Sequence, residues 1–131
     1  MSRRILIVDD EPNIVTSLEF LMRGSSYEVR VARNGEEALR RAESFRPDLI
    51  LLDVMMPQRS GFEVCQKIRQ NPALRDVKIV MLTAKGRDVE KDRGLNLGAN
   101  AYVTKPFSTK ELMNTVHALL AESEARDTGR R

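Results

Sequence analysis

Five short apolar runs punctuate the chain, at Ile5–Val8, Tyr27–Val31, Leu49–Leu52, Ile79–Leu82 and Ala101–Val103, and their length and composition predict strands. Between and after them the apolar period changes. Ile14, Leu18, Leu21 and Met22 recur at helical spacing, as do Leu112, Val116, Leu119 and Leu120. Ala38, Ala42 and Phe45 mark a shorter helix, and Cys65 falls beside Val64 and Ile68 on another helical face. Residues 87–96 form the weakest helical pattern, with only Val89, Leu95 and the adjacent Leu97 apolar among many charges, and are expected to be the mobile helix. Strands that are apolar throughout, such as Leu49-Ile50-Leu51-Leu52, imply burial on both faces. The pattern therefore predicts a doubly wound α/β sandwich, with a parallel sheet between helical layers.

Punctuation fits these elements. Pro12 suits a helix first turn, and Ser108-Thr109-Lys110-Glu111 reads as a capping box opening the last helix. Gly24, Gly35, Gly61, Gly86 and Gly98 fall at the expected joints. After Leu120 the chain turns polar, so the expected organisation is one domain over residues 3–122 and a polar tail or linker start over 123–131.

Composition narrows the class. A chain of 131 residues with 41% hydrophobic and 31% charged side chains is sized for one globular domain. It has no apolar run of membrane-spanning length and no secretory h-region, so a cytoplasmic protein without membrane association is expected. Its one cysteine rules out a disulfide framework. The +3 charge comes partly from Arg3, Arg4, Arg126, Arg130 and Arg131 near the ends, without the coherent patch or reading element that direct nucleic-acid binding needs.

The chemistry sits at the carboxyl ends of the predicted strands, where open parallel sheets gather functional groups. The first ends in Asp9-Asp10-Glu11, the third in Asp53, the fourth in Thr83, and the fifth runs into Thr104-Lys105-Pro106. Clustered carboxylates repel one another unless a cation joins them, and Mg²⁺ suits a site with carboxylates, a carbonyl and a phosphate oxygen. With metal and ammonium neutralising charge, an Asp can attack phosphorus. Lys105 would supply the ammonium and Thr83 a hydroxyl donor. Taken singly, Asp-Asp-Glu-Pro could be a solvated turn, Lys105 a surface lysine and Tyr102 a strand aromatic; their convergence on one edge argues otherwise. His117, the sole histidine, has no carboxylate partner suggested by spacing and is expected at the surface.

These residues resemble a known family. Ile5-Leu6-Ile7-Val8-Asp9-Asp10-Glu11, Leu51-Leu52-Asp53-Val54-Met55-Met56-Pro57, Gly61-Phe62-Glu63, Met81-Leu82-Thr83-Ala84 and Ala101-Tyr102-Val103-Thr104-Lys105-Pro106-Phe107 resemble the receiver domain of two-component response regulators. Within this CheY-like superfamily the motifs are nearest to OmpR/PhoB-type receivers. The resemblance implies a flavodoxin-like five-stranded sheet of order 2-1-3-4-5. It implies that Asp53 accepts a phosphoryl group from a sensor histidine kinase or histidine phosphotransfer protein. It further implies that Asp9, Asp10, Asp53 and the Met55 carbonyl hold Mg²⁺, that Lys105 binds the phosphoryl group before a cis bond to Pro106, and that Thr83 and Tyr102 form a switch pair. The chain is then a signalling switch rather than an enzyme acting on other substrates. Its fourth helix, fifth strand and last helix would speak to an unidentified output protein or fused output domain.

Family partner surfaces map to Asn13, Ile14, Ser17 and Phe107. Asn100 and Ala101 stand where an acidic pair often precedes the switch aromatic, and Asn114 and His117 stand where basic partners are expected, so no tight homodimer is anticipated. In the family the residues two after the phosphoacceptor and two after the switch threonine flank the water route; the resemblance gives these positions to Met55 and Lys85 and implies slow hydrolysis. A haloacid-dehalogenase-type phosphatase would need an Asp two residues after its nucleophile, and position 55 is Met. A receiver fold without phosphoryl chemistry would have lost Asp53, Lys105 or an acidic partner, and all are present.

Overall fold

The computed structural model describes residues 3–56, 60–84 and 88–129, with backbone alone for 88–91 and 123–129. Pro57, Lys85, Gly86, Arg87, Arg130 and Arg131, along with the Arg126 side chain, lie outside the described residues. The strands are β1 (Arg4–Val8), β2 (Glu28–Ala32), β3 (Leu49–Asp53), β4 (Lys78–Ala84) and β5 (Ala101–Lys105). They alternate with α1 (Pro12–Gly24), α2 (Gly35–Phe45), α3 (Gly61–Gln70), α4 (Asp88–Asn96) and α5 (Thr109–Gly129), and a single 3₁₀ turn spans Pro72–Leu74. All strand pairs are parallel, in the order β2-β1-β3-β4-β5, which is the expected flavodoxin-like topology.

Because side chains alternate across a strand, each strand divides its apolar residues between two cores. Leu6, Val8, Ile50, Leu52, Ile79 and Met81 face Ala38, Ala42 and Phe45 of α2 and Val64, Cys65 and Ile68 of α3. Ile5, Ile7, Leu49, Leu51, Val80 and Leu82 face Leu18 and Met22 of α1 and Leu112, Val116 and Leu120 of α5. In α1 the buried stripe is Val15, Leu18 and Met22. Ile14 and Leu21, read from the sequence as members of the apolar stripe, lie at its half-buried margin. Cys65 is a buried free thiol, and burial pushes its pKa up.

The helix starts follow the sequence. Pro12 occupies the first turn of α1, and the Glu111 N–H donates to Ser108 Oγ at 3.2 Å. The end of α5 departs from expectation, since its backbone stays helical to Gly129 through the segment read as a polar tail. Two residues past Leu120, Glu122 sits 3.7 Å from the Nζ of Lys78, a buried cation at the start of β4. A buried charge needs a counter-charge, which ties the α5 turn around Glu122 to the start of β4.

At the amino edge of the sheet, Arg69 ties three connections together. Its Nε donates to the Gly98 carbonyl at 2.8 Å and its Nη1 to the Arg75 and Val77 carbonyls at 2.9 and 2.7 Å. Its Nη2 donates to Asn100 Oδ1 at 2.8 Å, and that oxygen also accepts the Ile79 N–H at 2.8 Å. Asn100 is thus engaged within its own chain. Gly98 adopts φ +107, and a Cβ there would lie 2.9 Å from the Arg69 side chain, so glycine is required on both counts.

Candidate functional site

The carboxyl edge brings the expected residues together. The β1 strand ends against Asp9, whose N–H donates to the Ala32 carbonyl of β2 and whose Oδ1 accepts the Glu11 N–H at 3.0 Å. Asp53 closes β3 in register with Leu82, and its Oδ1 accepts the Met55 N–H at 3.1 Å. Thr83 and Lys105 follow on β4 and β5, each next to the other strand's terminal residues through the Thr83–Thr104 and Ala84–Lys105 pairings. Carboxylate oxygens of Asp9, Asp10 and Asp53 all fall within 4.8 Å of one another. Asp9, Asp53 and Thr83 are buried, and Asp10 is exposed at the mouth.

The Lys105 ammonium bridges the acids, 2.8 Å from Asp9 Oδ2 and 3.5 Å from Asp53 Oδ1. The Lys105–Pro106 peptide is cis. Burial, and then the neighbouring Asp9 charge, raise the Asp53 pKa from 3.8 to about 6 against the smaller opposing pull of Lys105. Burial alone would lower the Lys105 pKa, but hydrogen bonding and charge from Asp9 and Asp53 raise it overall. The two shifts point in different directions for ion pairing, one disfavouring the carboxylate and the other favouring the ammonium. The Asp53 shift follows from burial and the Asp9 charge, and the Lys105 shift from its pairing with Asp9 and Asp53, so the cation gains from both acids it touches while Asp53 is left under-neutralised. All three acids offer hard oxygens, so the site suits a hard divalent cation such as Mg²⁺.

Two residues acquire reasons that the sequence reading did not supply. A Cβ on Gly61 would lie 2.3 Å from the Asp53 carbonyl oxygen, so the turn after the acidic strand closes only over glycine. The Gly61 N–H donates to the Val54 carbonyl at 3.0 Å, completing that closure. Next to it, Phe62 carries the Arg93 guanidinium of α4 at 4.3 Å from its ring centroid, linking α3 to α4 beside the site. Tyr102 is half-buried and packs on the core that contains Met81, its register partner. His117 is exposed and meets the Tyr27 ring edge-on at 6.0 Å.

Beside the crevice, α1 and the segment after β5 enclose an apolar groove of about 580 Å³ lined by Ile14, Ser17, Phe20, Leu21, Pro106 and Phe107. Phe20 is 79% exposed. Its position falls off the helical core stripe, which is the sequence signal that marks it as a surface aromatic.

A parallel five-stranded α/β sandwich with an acidic cluster and a bridging lysine at its carboxyl edge defines a receiver-type switch module. Residues 5–117 match the response regulator receiver domain family, and the chain belongs to it, within two-component systems. It is 49% identical over 124 residues to the alkaline phosphatase synthesis transcriptional regulatory protein PhoP of Bacillus subtilis (strain 168), covering 95% of this chain and 51% of that protein. The chain therefore spans about half the length of that relative. A response-regulator structure from Chloroflexus aurantiacus J-10-fl superposes with TM-score 0.89 at 40% identity, covering 92% of this chain and 99% of that one. The receiver domain of sensor histidine kinase PA1611 from Pseudomonas aeruginosa PAO1 superposes with TM-score 0.85 at 32% identity, covering 92% and 99%. That structure holds a magnesium ion in its active-site cleft. Among the described residues no helix is long and apolar enough to cross a membrane.

Proposed function

We propose that Asp53 accepts a phosphoryl group from a phosphohistidine donor in a Mg²⁺-dependent reaction, and that the acyl phosphate resets the output face. The observation that carries this reading is the buried Asp53 carboxylate, held between Lys105 and the Asp9–Asp10 pair. Its Oδ1 is occupied by the Met55 N–H and Lys105, while Oδ2 has no protein donor among the described residues and is the attacking atom. Attack of this oxygen on phosphorus forms the P–O bond as the P–N bond to the donor imidazole breaks. The metal, held by Asp9, Asp10, Asp53 and the Met55 carbonyl, supplies charge neutralisation to the transferring group. Lys105 moves from bridging two acids to pairing with the phosphoryl oxygens. The Thr83 hydroxyl donates to the same group, and Tyr102 follows it inward, altering the α4–β5–α5 face.

The donor, a sensor histidine kinase or phosphotransfer protein, docks over α1, from Asn13 onward, and the segment after β5, where Ile14, Ser17, Phe20 and Phe107 line the apolar groove. The output is a separate protein or a following domain, controlled in the cytoplasm without direct nucleic-acid contact by this module. The module stays free of a tight homodimer, because Asn100 is spent on Arg69 and Ile79 instead of offering an acid outward. Met55 orients no water, so the acyl phosphate is long-lived, with a half-life of minutes or more. Exposure to acetyl phosphate with Mg²⁺ should drive phosphoryl uptake, and chelation of the metal before the donor is added should prevent it. Equal uptake in chelator would reject the reading.

A further inference from the structure

We propose that Met55 is a redox-sensitive modification site, at which oxidation of the thioether by a hydroperoxide shortens the life of the phosphoryl group on Asp53. This inference rests on the function proposed above. Its basis is the uneven exposure of the methionines. Met22 and Met81 are fully buried, and Met56 and Met113 pack against the two cores. Met55 is 62% exposed, the one methionine among the described residues open to solvent to that degree. Cys65, the other oxidisable side chain, is buried and its thiol is pushed further from the reactive thiolate, so it does not compete.

The placement of Met55 couples its chemistry to the site. One residue separates it from Asp53, and its own N–H donates to Asp53 Oδ1, which holds the turn against the carboxylate. In the reaction the sulfur lone pair attacks one peroxide oxygen. The S–O bond forms as the O–O bond breaks, and the displaced oxygen leaves as an alcohol, or as water from hydrogen peroxide, after proton transfer. Sulfur is oxidised by two electrons and the peroxide is reduced by two. The product replaces a weak acceptor with a strongly polar S=O group. Two positions along the chain from Asp53, on a turn tied to that carboxylate, the new oxygen accepts a hydrogen bond from water and holds it near the phosphorus, where positioning limits hydrolysis. Sulfoxide reduction by a methionine sulfoxide reductase restores the thioether, so the modification is reversible.

The test treats the full chain with dilute hydrogen peroxide and maps its methionine peptides by mass spectrometry. Decay of the phosphoryl label in Mg²⁺ is then followed with and without oxidation. We expect the Met55 peptide to gain oxygen ahead of those containing Met22, Met56, Met81 and Met113. Decay should quicken by about fivefold, the rate effect of one added hydrogen bond. Met55→Leu should decay at the same rate with or without peroxide, and Met55→Gln should decay faster than wild type with no oxidant. Oxidation of the packed methionines at the same rate as Met55, or unchanged decay in protein oxidised at Met55, would overturn the inference while leaving the proposed function intact. Failure of the untreated protein to take up label would overturn both.

Discussion

At the amino edge of the sheet a single cation, Arg69, donates to four acceptors, whereas at the carboxyl edge Lys105, the one cation among the described residues there, pairs with Asp9 and Asp53 of a three-carboxylate cluster. The first arrangement is close to saturated: four of the five guanidinium N–H donors meet an oxygen among the described residues, and the fork fixes the ends of α3 and α4 against β4 and β5. The second is largely buried and short of positive charge, and burial first, then the Asp9 charge, lifts the Asp53 pKa to about 6. A saturated cluster stabilises the fold, and an unsaturated one leaves room for a metal and a phosphoryl group at a cost in stability. The sheet separates the two, so the site can change its charge without loosening the clamp beneath it.

If the amino edge is the structural end, its loss should be the most damaging. Arg69→Ala should lower unfolding free energy by ~3 kcal/mol, since several hydrogen bonds from one charged donor disappear together. Arg69→Lys should recover only part of this, because an ammonium cannot reproduce the fork. Denaturant unfolding measures both, and a loss under ~1 kcal/mol for the alanine variant would remove the clamp from the account. Gly61→Ala should cost ~2 kcal/mol, because the opposing atom is the Asp53 backbone oxygen and no rotamer change relieves the overlap. It should also weaken Mg²⁺ binding, which Arg69→Ala should not.

The carboxyl edge should behave in the opposite sense. Folding raises the Asp53 pKa from 3.8 to about 6, so the folded chain binds the proton more tightly than the unfolded chain in this window. Stability contributed by Asp53 is therefore present at low pH and lost as pH rises from about 4 to 6. Asp53→Asn should accordingly raise metal-free stability at pH 7 by ~1–2 kcal/mol, within the ~3 kcal/mol that a shift of this size permits. The gain should shrink below pH 5 and with saturating Mg²⁺. Thermal melts across pH would show this, and destabilisation by Asp53→Asn at pH 7 would contradict the charge deficit. The smallest stability effect belongs to Phe20→Ser, within ~0.5 kcal/mol because the ring is exposed. Its effect should appear instead as slower phosphotransfer from a protein donor, with transfer from acetyl phosphate unchanged.

The difference between the edges also explains what was legible in the sequence. The five strands and the carboxyl-edge cluster follow from apolar runs that give way to Asp9, Asp53, Thr83 and Lys105, a local signal of period and punctuation, whereas the strand order came only with the family resemblance. The Arg69 clamp joins residues 31 positions apart through mostly backbone acceptors, which leave no mark on side-chain identity. Asn100 was consequently read for the acid it lacks rather than for the bonds it makes. Gly61 was visible as a joint, but its reason, the Asp53 carbonyl, belongs to the tertiary approach of α3. The role of Glu122 was hidden for a similar cause, since a polar residue at the end of the domain shows no purpose until Lys78 is seen buried beside it.

The central claim is that the charge-deficient edge exists to receive a phosphoryl group on Asp53. Intact-mass spectrometry after incubation with acetyl phosphate and Mg²⁺ tests it most directly. Wild type should gain about 80 Da, the mass of one phosphoryl group delivered by this transfer, with the label mapping to the peptide that contains Asp53. Lys105→Ala should retain Mg²⁺ binding but lose labelling or the switching response, and Asp53→Asn should gain nothing. Labelling of Asp53→Asn equal to that of wild type would contradict the account.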